Sequence, residues 1–228
     1  IRRQGKILMP DTIFDAAVFD FDGTLAELVL DFTAMKQLVA RQAAAFLPDV
    51  PSANGLPALE YAAKLAAAIA RTDPEASRRF AAQAAQGIEA METDGAARAS
   101  LFPETRAALA ALAGRGVKVG VITRNCRRAV LTVFPDLHDF AGVLLARDDT
   151  PRVKPDPEHL LAALQALGAA PARSLMVGDH PMDLAVGKAA GTRTAGVASG
   201  HVGRDELARH GPDYLAADVG ELVAKLMG

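Results

Sequence analysis

Several features that mark specialised protein classes are missing from this sequence. It has no tryptophan, and its single cysteine, Cys126, excludes an internal disulfide framework and a cysteine-based structural zinc site. Lysine and arginine number 25 against 27 aspartates and glutamates, which gives a formal net charge of -2. Because no basic excess is available to neutralise a phosphate backbone, we expect no general binding of nucleic acid.

Long apolar runs are also missing. The alanine-rich stretches Tyr61–Ala70 and Leu160–Ala170 are interrupted by Lys64 and Gln165, so neither matches the roughly 20 apolar residues of a membrane helix. The first ten residues, Ile1–Pro10, hold three basic side chains but no long apolar segment, so we expect no secretory signal. These absences favour a cytoplasmic protein without a membrane partner.

The composition is that of a chain able to form a packed core. Of its 228 residues, 50% are hydrophobic and 23% are charged. From residue 103 onward, short apolar runs alternate with helical patterns, which predicts an α/β fold with a Rossmann-like parallel sheet flanked by helices. The predicted strands are Ala16–Phe21, Val117–Ile122, Gly142–Leu145, Ser174–Val177, Thr192–Val197 and Asp213–Leu215, and the predicted helices are Pro103–Ala113, Arg127–Val133, Asp156–Leu167, Met182–Ala190 and Glu221–Met227.

The segment between the first and second strands has a different pattern. It indicates helices only, approximately Phe32–Phe46, Leu56–Arg71 and Pro74–Ala90. Because it interrupts a sheet protein directly after its first strand, we predict an all-helical cap domain inserted there. The predicted core domain is 1–26 with 101–228, and the predicted cap is 27–100.

Polar side chains follow four of the predicted strands, where ligands bind in open parallel sheets. Four carboxylates meeting at one edge would repel each other and would need a cation, and hard oxygen ligands select Mg²⁺. A nucleophile, a metal and fixed donors together suit a phosphoryl group. The residues are Asp20 and Asp22 at the end of the first strand, Thr123 and Asn125 after the second, Lys154 after the third, and Asp179 and Asp183 after the fourth.

These residues lie in four motifs, in the order Asp20-Phe-Asp22-Gly-Thr24-Leu, Thr123, Lys154 and Gly178-Asp179-x-x-x-Asp183. The set resembles the four ordered motifs of the haloacid dehalogenase-like (HAD) superfamily, and the resemblance covers the predicted core. The helical insertion is similar to the small C1-type cap of that superfamily. Together with the first motif, it looks closest to the phosphoglycolate phosphatase-like branch.

The resemblance implies a catalytic role for four residues. Asp20 would be the nucleophile that forms an aspartyl-phosphate. Asp22 would act as general acid for the leaving group and then as general base for water. Thr123 would donate to the phosphoryl oxygens, and Lys154 would neutralise the nucleophile and the phosphate.

The resemblance also implies a Mg²⁺ site. Asp20, Asp179 and the backbone carbonyl of Asp22 would bind the metal. Asp183 would support the metal or Lys154.

The same resemblance places the substrate against the second and third motifs, at Thr123, Arg124, Asn125 and Lys154. Arg124 departs from the commonest Thr-Asn pattern of the family, because many relatives carry a small or amide residue there. It would either contact the substrate or change which residue does so.

Ordinary structural roles compete with these assignments. Asp22-Gly23 is also a common turn signal, Thr123 could cap the following helix, and Asp183 could cap its own helix while serving the site. We expect His180 to be a structural histidine and His201 a loop residue. We expect Cys126 to pack at the start of a helix.

The predicted function is that of a Mg²⁺-dependent phosphatase of a small phosphorylated metabolite, phosphoglycolate-like or a sugar phosphate, acting as a monomer or homodimer. A phosphoglucomutase-like transfer on the same core stays open, as does a catalytically idle binding protein. A haloacid dehalogenase is disfavoured, because such enzymes use no metal and lack the aspartate at the position of Asp22.

Overall fold

The computed structural model describes residues 14–27 and 29–228, which form two compact units. One unit contains the described residues before Leu28 together with Ala99–Gly228, and the other is Val29–Arg98. These bounds lie within two residues of those expected for the core and the cap. The expectation about a secretory signal concerns Ile1–Pro10, which lie outside the described residues.

The first unit is built on a six-stranded sheet. Its strands are β1 Ala16–Phe19, β2 Lys118–Ile122, β3 Val143–Leu145, β4 Ser174–Gly178, β5 Arg193–Val197 and β6 Tyr214–Ala216. They lie in the order β3-β2-β1-β4-β5-β6, and every neighbouring pair is parallel. The predicted α/β fold with a parallel sheet is confirmed.

Helices connect the strands and build the second unit. In chain order they are α1 Phe32–Ala43, α2 Ala58–Ala70, α3 Pro74–Ala96, α4 Thr105–Gly114, α5 Arg127–Val133, α6 Glu158–Leu167, α7 Pro181–Ala190, α8 Arg204–Arg209 and α9 Val219–Met227.

The sheet lies between two helical layers. Successive side chains of a strand point to opposite faces of the sheet, and the buried side chains on each face pack against helices. On β1, Ala17 and Phe19 pack into one apolar cluster with residues of α4 and α9. Ala16 and Val18 pack into a second cluster with residues of α6 and α7. This arrangement buries both faces and leaves the carboxyl edge of the sheet, where the strands end, for chemistry.

The helical unit has an apolar core of its own. Buried side chains of α1, α2 and α3 form one cluster that includes Val39, Leu65 and Phe80. Helix α3 begins as predicted at Pro74, where the Asp73 carboxylate accepts hydrogen bonds from two backbone N–H groups of the first turn.

Some elements differ from their predicted bounds. Strand β1 ends at Phe19 rather than Phe21, because the chain turns there and the Phe21 carbonyl accepts from the N–H of Leu25. Helix α3 continues through Gly95, whose missing side chain lets Leu30 pack closely. Helix α8 escaped prediction because it is six residues long and buries only Leu207.

Across the described residues, none of the helices combines the length and the apolar character needed to span a lipid bilayer.

Candidate active site

Asp20 lies at the carboxyl end of β1, between two neighbouring strands of the sheet. Its N–H donates to the Val177 carbonyl at 2.9 Å, so its backbone is still held to β4. Its Oδ1 accepts from the Phe21 N–H at 2.6 Å. The side chain is 14% exposed, so the carboxylate is accessible yet fixed in direction, as a nucleophile requires.

Lys154 brings a positive charge against this carboxylate. Its Nζ lies 2.8 Å from Asp20 Oδ1 and 2.7 Å from Asp183 Oδ1, and its side chain is only 2% exposed. Burial alone would lower the pKa of Lys154, but the carboxylates of Asp183 and Asp20 raise it above its ordinary value. The ammonium therefore stays charged across the physiological pH range. The peptide bond that follows, Lys154–Pro155, is cis.

Asp22 is held by the loop that follows β2. Its carboxylate accepts from the Thr123 hydroxyl at 3.2 Å and from the Asn125 amide Nδ2 at 3.0 Å. Burial, and then the negative charge of Asp20, raise the pKa of Asp22 to about 7. A carboxyl that titrates near neutral pH can either donate or accept a proton under working conditions.

Three carboxylates could together hold a metal ion. Asp20, Asp179 and Asp183 each offer one oxygen, and these oxygens lie within 4.8 Å of one another. Burial and the charge of Asp20 raise the pKa of both Asp179 and Asp183. Such a crowded, oxygen-only donor set suits a hard divalent cation, which would relieve the mutual repulsion. The Asp22 carboxylate points to Thr123 and Asn125 instead, so any metal role of this residue would fall to its backbone carbonyl.

Two glycines let the chain close around Asp179. Gly23 has a φ of +82°, and a Cβ atom on Gly200 would overlap the Asp179 carboxylate. The Ser199 hydroxyl donates to the Gly23 carbonyl at 2.8 Å, and the Thr24 hydroxyl donates to Asp179 Oδ1 at 2.9 Å. Ser199 and Gly200 follow β5, so this strand end contributes to the site although sequence reasoning assigned it no role.

Asn125 and Arg124 both make contacts within the protein. The Asn125 side chain is buried, donates to Asp22 and accepts from the Cys126 N–H at 2.9 Å. Arg124 is half-buried, and its Nη1 donates to the Lys154 carbonyl at 3.0 Å. These bonds connect the loop after β2 to Asp22 and Lys154, while substrate contact at either residue stays a prediction.

The competing structural roles are now distinguishable. Helix α5 is capped by Cys126, whose buried Sγ accepts from the Ala129 N–H, and not by Thr123. His180 caps α7 through its ring Nδ1, and Asp183 accepts both from the His180 N–H at 3.1 Å and from Lys154. The expected structural roles of Cys126 and His180 are confirmed, and Asp183 combines capping with its place in the site. His201 is exposed.

Comparison with known proteins extends these observations. A family model described as haloacid dehalogenase-like hydrolase matches residues 14–191. The pyrophosphatase PpaX of Bacillus pumilus is 39% identical over 118 residues, covering 51% of this chain and 55% of that protein. The chain thus spans about half the length of the curated relatives it matches.

Solved structures share the fold over almost the whole chain. A haloacid dehalogenase-like hydrolase from Bacteroides fragilis is 25% identical, with a TM-score of 0.66 over 92% of this chain and 99% of that chain. A protein from Haemophilus somnus, named as a predicted phosphoglycolate phosphatase, is 21% identical, with a TM-score of 0.64 over 96% and 100% of the two chains.

The family match spans most of the chain, and the residues of all four motifs meet at the carboxyl edge of a parallel sheet. This protein therefore belongs to the haloacid dehalogenase-like hydrolases.

Proposed function

We propose that this protein is a Mg²⁺-dependent phosphatase that hydrolyses a small phosphorylated metabolite through an aspartyl-phosphate at Asp20. The observation that carries the proposal is the buried Lys154 ammonium, which joins Asp20 to Asp183 beside the three-carboxylate group. Membership of the hydrolase family supports it. A fixed cation and a metal site around one accessible carboxylate suit the transfer of a phosphoryl group.

In the first step, an Asp20 oxygen attacks the phosphorus atom and the bond from phosphorus to the leaving oxygen breaks. Asp22 gives its proton to that oxygen, which its pKa of about 7 permits near neutral pH. An ammonium has three N–H donors. Two of them face Asp20 and Asp183, and we assign the third to a phosphoryl oxygen, together with the Thr123 hydroxyl.

In the second step, water attacks the phosphorus atom and gives a proton to Asp22, which is now a carboxylate. The bond from phosphorus to Asp20 breaks, which releases inorganic phosphate and restores both side chains. The same residue thus serves as acid and then as base, as its intermediate pKa allows.

Asp20, Asp179, Asp183 and the Asp22 carbonyl would hold Mg²⁺. When bound, the ion supplies positive charge that neutralises the carboxylates and the phosphoryl oxygens. We further propose that the helical unit Val29–Arg98 serves as the cap and determines which leaving group is accepted. Closure of such a cap would exclude water from the first step.

Phosphoglycolate-like molecules and sugar phosphates are the first substrates to test. Pyrophosphate is a second candidate, because the Bacillus pumilus relative is named as a pyrophosphatase. In pyrophosphate the leaving group is phosphate, a much weaker base than an alkoxide. Its cleavage would therefore depend less on protonation by Asp22.

The deciding experiment measures phosphate release from p-nitrophenyl phosphate, phosphoglycolate, a hexose phosphate and pyrophosphate, with and without Mg²⁺. Asp20→Asn is expected to abolish turnover and leave folding intact. Asp15→Asn is the matched control, because this surface aspartate lies just before β1 and pairs with Arg173. Near wild-type turnover in Asp20→Asn would refute the covalent mechanism.

The two alternative functions, a mutase and an idle binding protein, would give different results in the same assay. Isomerisation of the hexose phosphate without phosphate release would indicate a mutase. Absence of turnover on every substrate, together with absence of Mg²⁺ binding by calorimetry, would favour an idle binding protein.

A further inference from the structure

A buried histidine of the first unit has no part in the proposed reaction. His159, on α6, has 0% of its surface exposed. Its Nδ1 lies 3.2 Å from the backbone N–H of Lys154, and its Nε2 lies 3.0 Å from the Leu145 carbonyl oxygen. An N–H needs an acceptor and a carbonyl needs a donor, so Nδ1 accepts and Nε2 carries the proton and donates. Both contacts require the neutral ring.

These two hydrogen bonds connect the sheet to the residue that neutralises the nucleophile. Leu145 is the last residue of β3, and Lys154 lies nine positions later, at the end of a connection that is partly exposed. The rigid ring spans this gap and ties the Lys154 backbone to the end of a strand. Arg124 holds the other side of the same residue by donating to the Lys154 carbonyl at 3.0 Å.

The position of this backbone matters because the Lys154 ammonium must reach two carboxylates at once. Its Nζ lies 2.8 Å from Asp20 and 2.7 Å from Asp183. A lysine side chain is long and flexible, so its ammonium is placed well only if its backbone is held. A displacement of about 1 Å at a catalytic group can cost on the order of 10²-fold in rate.

We propose that His159 is a positioning residue, which holds the Lys154 backbone through its Nδ1 acceptor so that the ammonium stays between Asp20 and Asp183. It touches neither the nucleophile nor, by its burial, a substrate. Its kinetic consequence rests on the proposed function.

The environment of the ring agrees with this role. Burial, despite the hydrogen bond to Leu145, lowers the pKa of His159 to about 4, and the positive charge of Lys154 acts in the same direction. Asp20 and Asp149 oppose the shift. The neutral ring, with Nδ1 unprotonated and able to accept from the Lys154 N–H, therefore persists at neutral pH.

Three substitutions distinguish the contribution of the Nδ1 hydrogen bond from that of the Nε2 hydrogen bond. In His159→Asn, the short amide can offer an acceptor near the place of Nδ1 but does not reach Leu145. In His159→Gln, the longer amide can reach the place of Nε2 but offers nothing to the Lys154 N–H. His159→Leu removes both polar contacts. Leu164→Ala, a buried residue of the same helix, is the control for a general loss of packing.

The kinetic test measures kcat and KM for p-nitrophenyl phosphate below the melting temperature of every variant. We expect kcat to fall about 10- to 100-fold in His159→Gln and His159→Leu, by less than about 3-fold in His159→Asn, and hardly at all in Leu164→Ala. Equal losses in His159→Asn and His159→Leu would overturn the proposal, as would a matching loss in Leu164→Ala.

A second measurement does not depend on turnover. Hydrogen–deuterium exchange at the Lys154 amide should be slow in the wild type and in His159→Asn, and faster in His159→Gln. An unchanged exchange rate in His159→Gln would refute the positioning role even if the wild type hydrolyses p-nitrophenyl phosphate. An inactive wild type with the expected exchange pattern would instead refute the proposed function and retain the role of His159.

Discussion

Individual carboxylates in this site differ in what they can do because their neighbours differ. Asp20 lies against the Lys154 ammonium and is partly accessible, which suits attack on phosphorus. Asp22, two residues later, accepts hydrogen bonds from the neutral groups of Thr123 and Asn125, and burial raises its pKa to about 7. Two aspartates of one short motif thus lie in different environments, so Asp20 suits the role of a nucleophile and Asp22 that of an acid and base.

Asp22→Asn removes the proton donor and keeps the shape of the side chain. Loss of general acid and base catalysis is expected to reduce kcat by about 10²–10⁴-fold on an alkyl phosphate. The loss should be smaller on p-nitrophenyl phosphate, whose leaving group is weakly basic, so this ester is the internal control. A fall of less than a few-fold on the alkyl phosphate would mean that Asp22 only helps to position the metal.

His159 predicts a dependence of stability on pH. Its pKa falls from an ordinary 6.5 to about 4 in the folded protein, so between these values only the unfolded chain takes up the proton. The free energy of unfolding therefore contains a contribution that is complete above about pH 6.5 and declines as the pH falls toward 4, by about 2–3 kcal/mol.

Urea unfolding of the wild type and His159→Gln at several pH values tests this contribution. The difference in stability between the two proteins should shrink as the pH falls from 7 to 4. Comparing the two proteins cancels the carboxylates of Asp22, Asp179 and Asp183, whose raised pKa values act in the opposite direction. A difference that is independent of pH would contradict the prediction.

At the scale of elements, the site depends on where each strand ends. Asp20 follows β1, Thr123 follows β2, Asp179 follows β4, and Ser199 and Gly200 follow β5. Parallel strands present these ends at one edge, so short loops suffice to bring the side chains together. The loop after β5 contributes shape rather than charge, because Gly200 packs directly against the Asp179 carboxylate.

Gly200→Ala should therefore weaken metal binding. The added methyl group would overlap the Asp179 carboxylate and displace it, and we expect the Kd for Mg²⁺ to rise about 10-fold or more in a calorimetric titration. Gly203→Ala is the matched control, since it lies three residues further on, with no atom within 4 Å of the added Cβ. Equal Mg²⁺ affinity in the two variants would show that Asp179 does not need its observed position.

At the scale of the whole molecule, the group of three carboxylates would make the stability of the folded chain depend on a divalent cation. Burial, and then the negative charge of Asp20, raise the pKa of Asp179 and Asp183, so protons would compete with a divalent cation for these carboxylates. Any ligand that binds only the folded state stabilises it, by about 2.7 kcal/mol at one hundred times its Kd.

Mg²⁺ is therefore expected to raise the melting temperature, and more strongly at pH 8 than at pH 6. At the lower pH, protons on Asp179 and Asp183 compete with the ion, because their pKa values are raised. Thermal unfolding with increasing Mg²⁺ at both pH values measures the effect, with Asp183→Asn as the comparison. A shift of the same size at both pH values would argue against binding at these carboxylates.

The sequence alone determined the fold class and the strand ends at which to look for chemistry. Strand–helix alternation and buried apolar runs are local patterns, and so are helix signals such as Asp73-Pro74 and Gly168, which ends α6 in a left-handed conformation. Short or atypical elements such as α8 carry too little pattern to be found in this way.

Only the tertiary structure decided how the site residues are paired. Nothing in the local sequence states that Lys154 lies between Asp20 and Asp183, that Gly200 packs on Asp179, or that His159 holds the Lys154 backbone. Most of these contacts join residues far apart in the chain, so they are set by the sheet order, which places β1 between β2 and β4. Local patterns encode elements, whereas contacts between distant residues follow from how those elements pack.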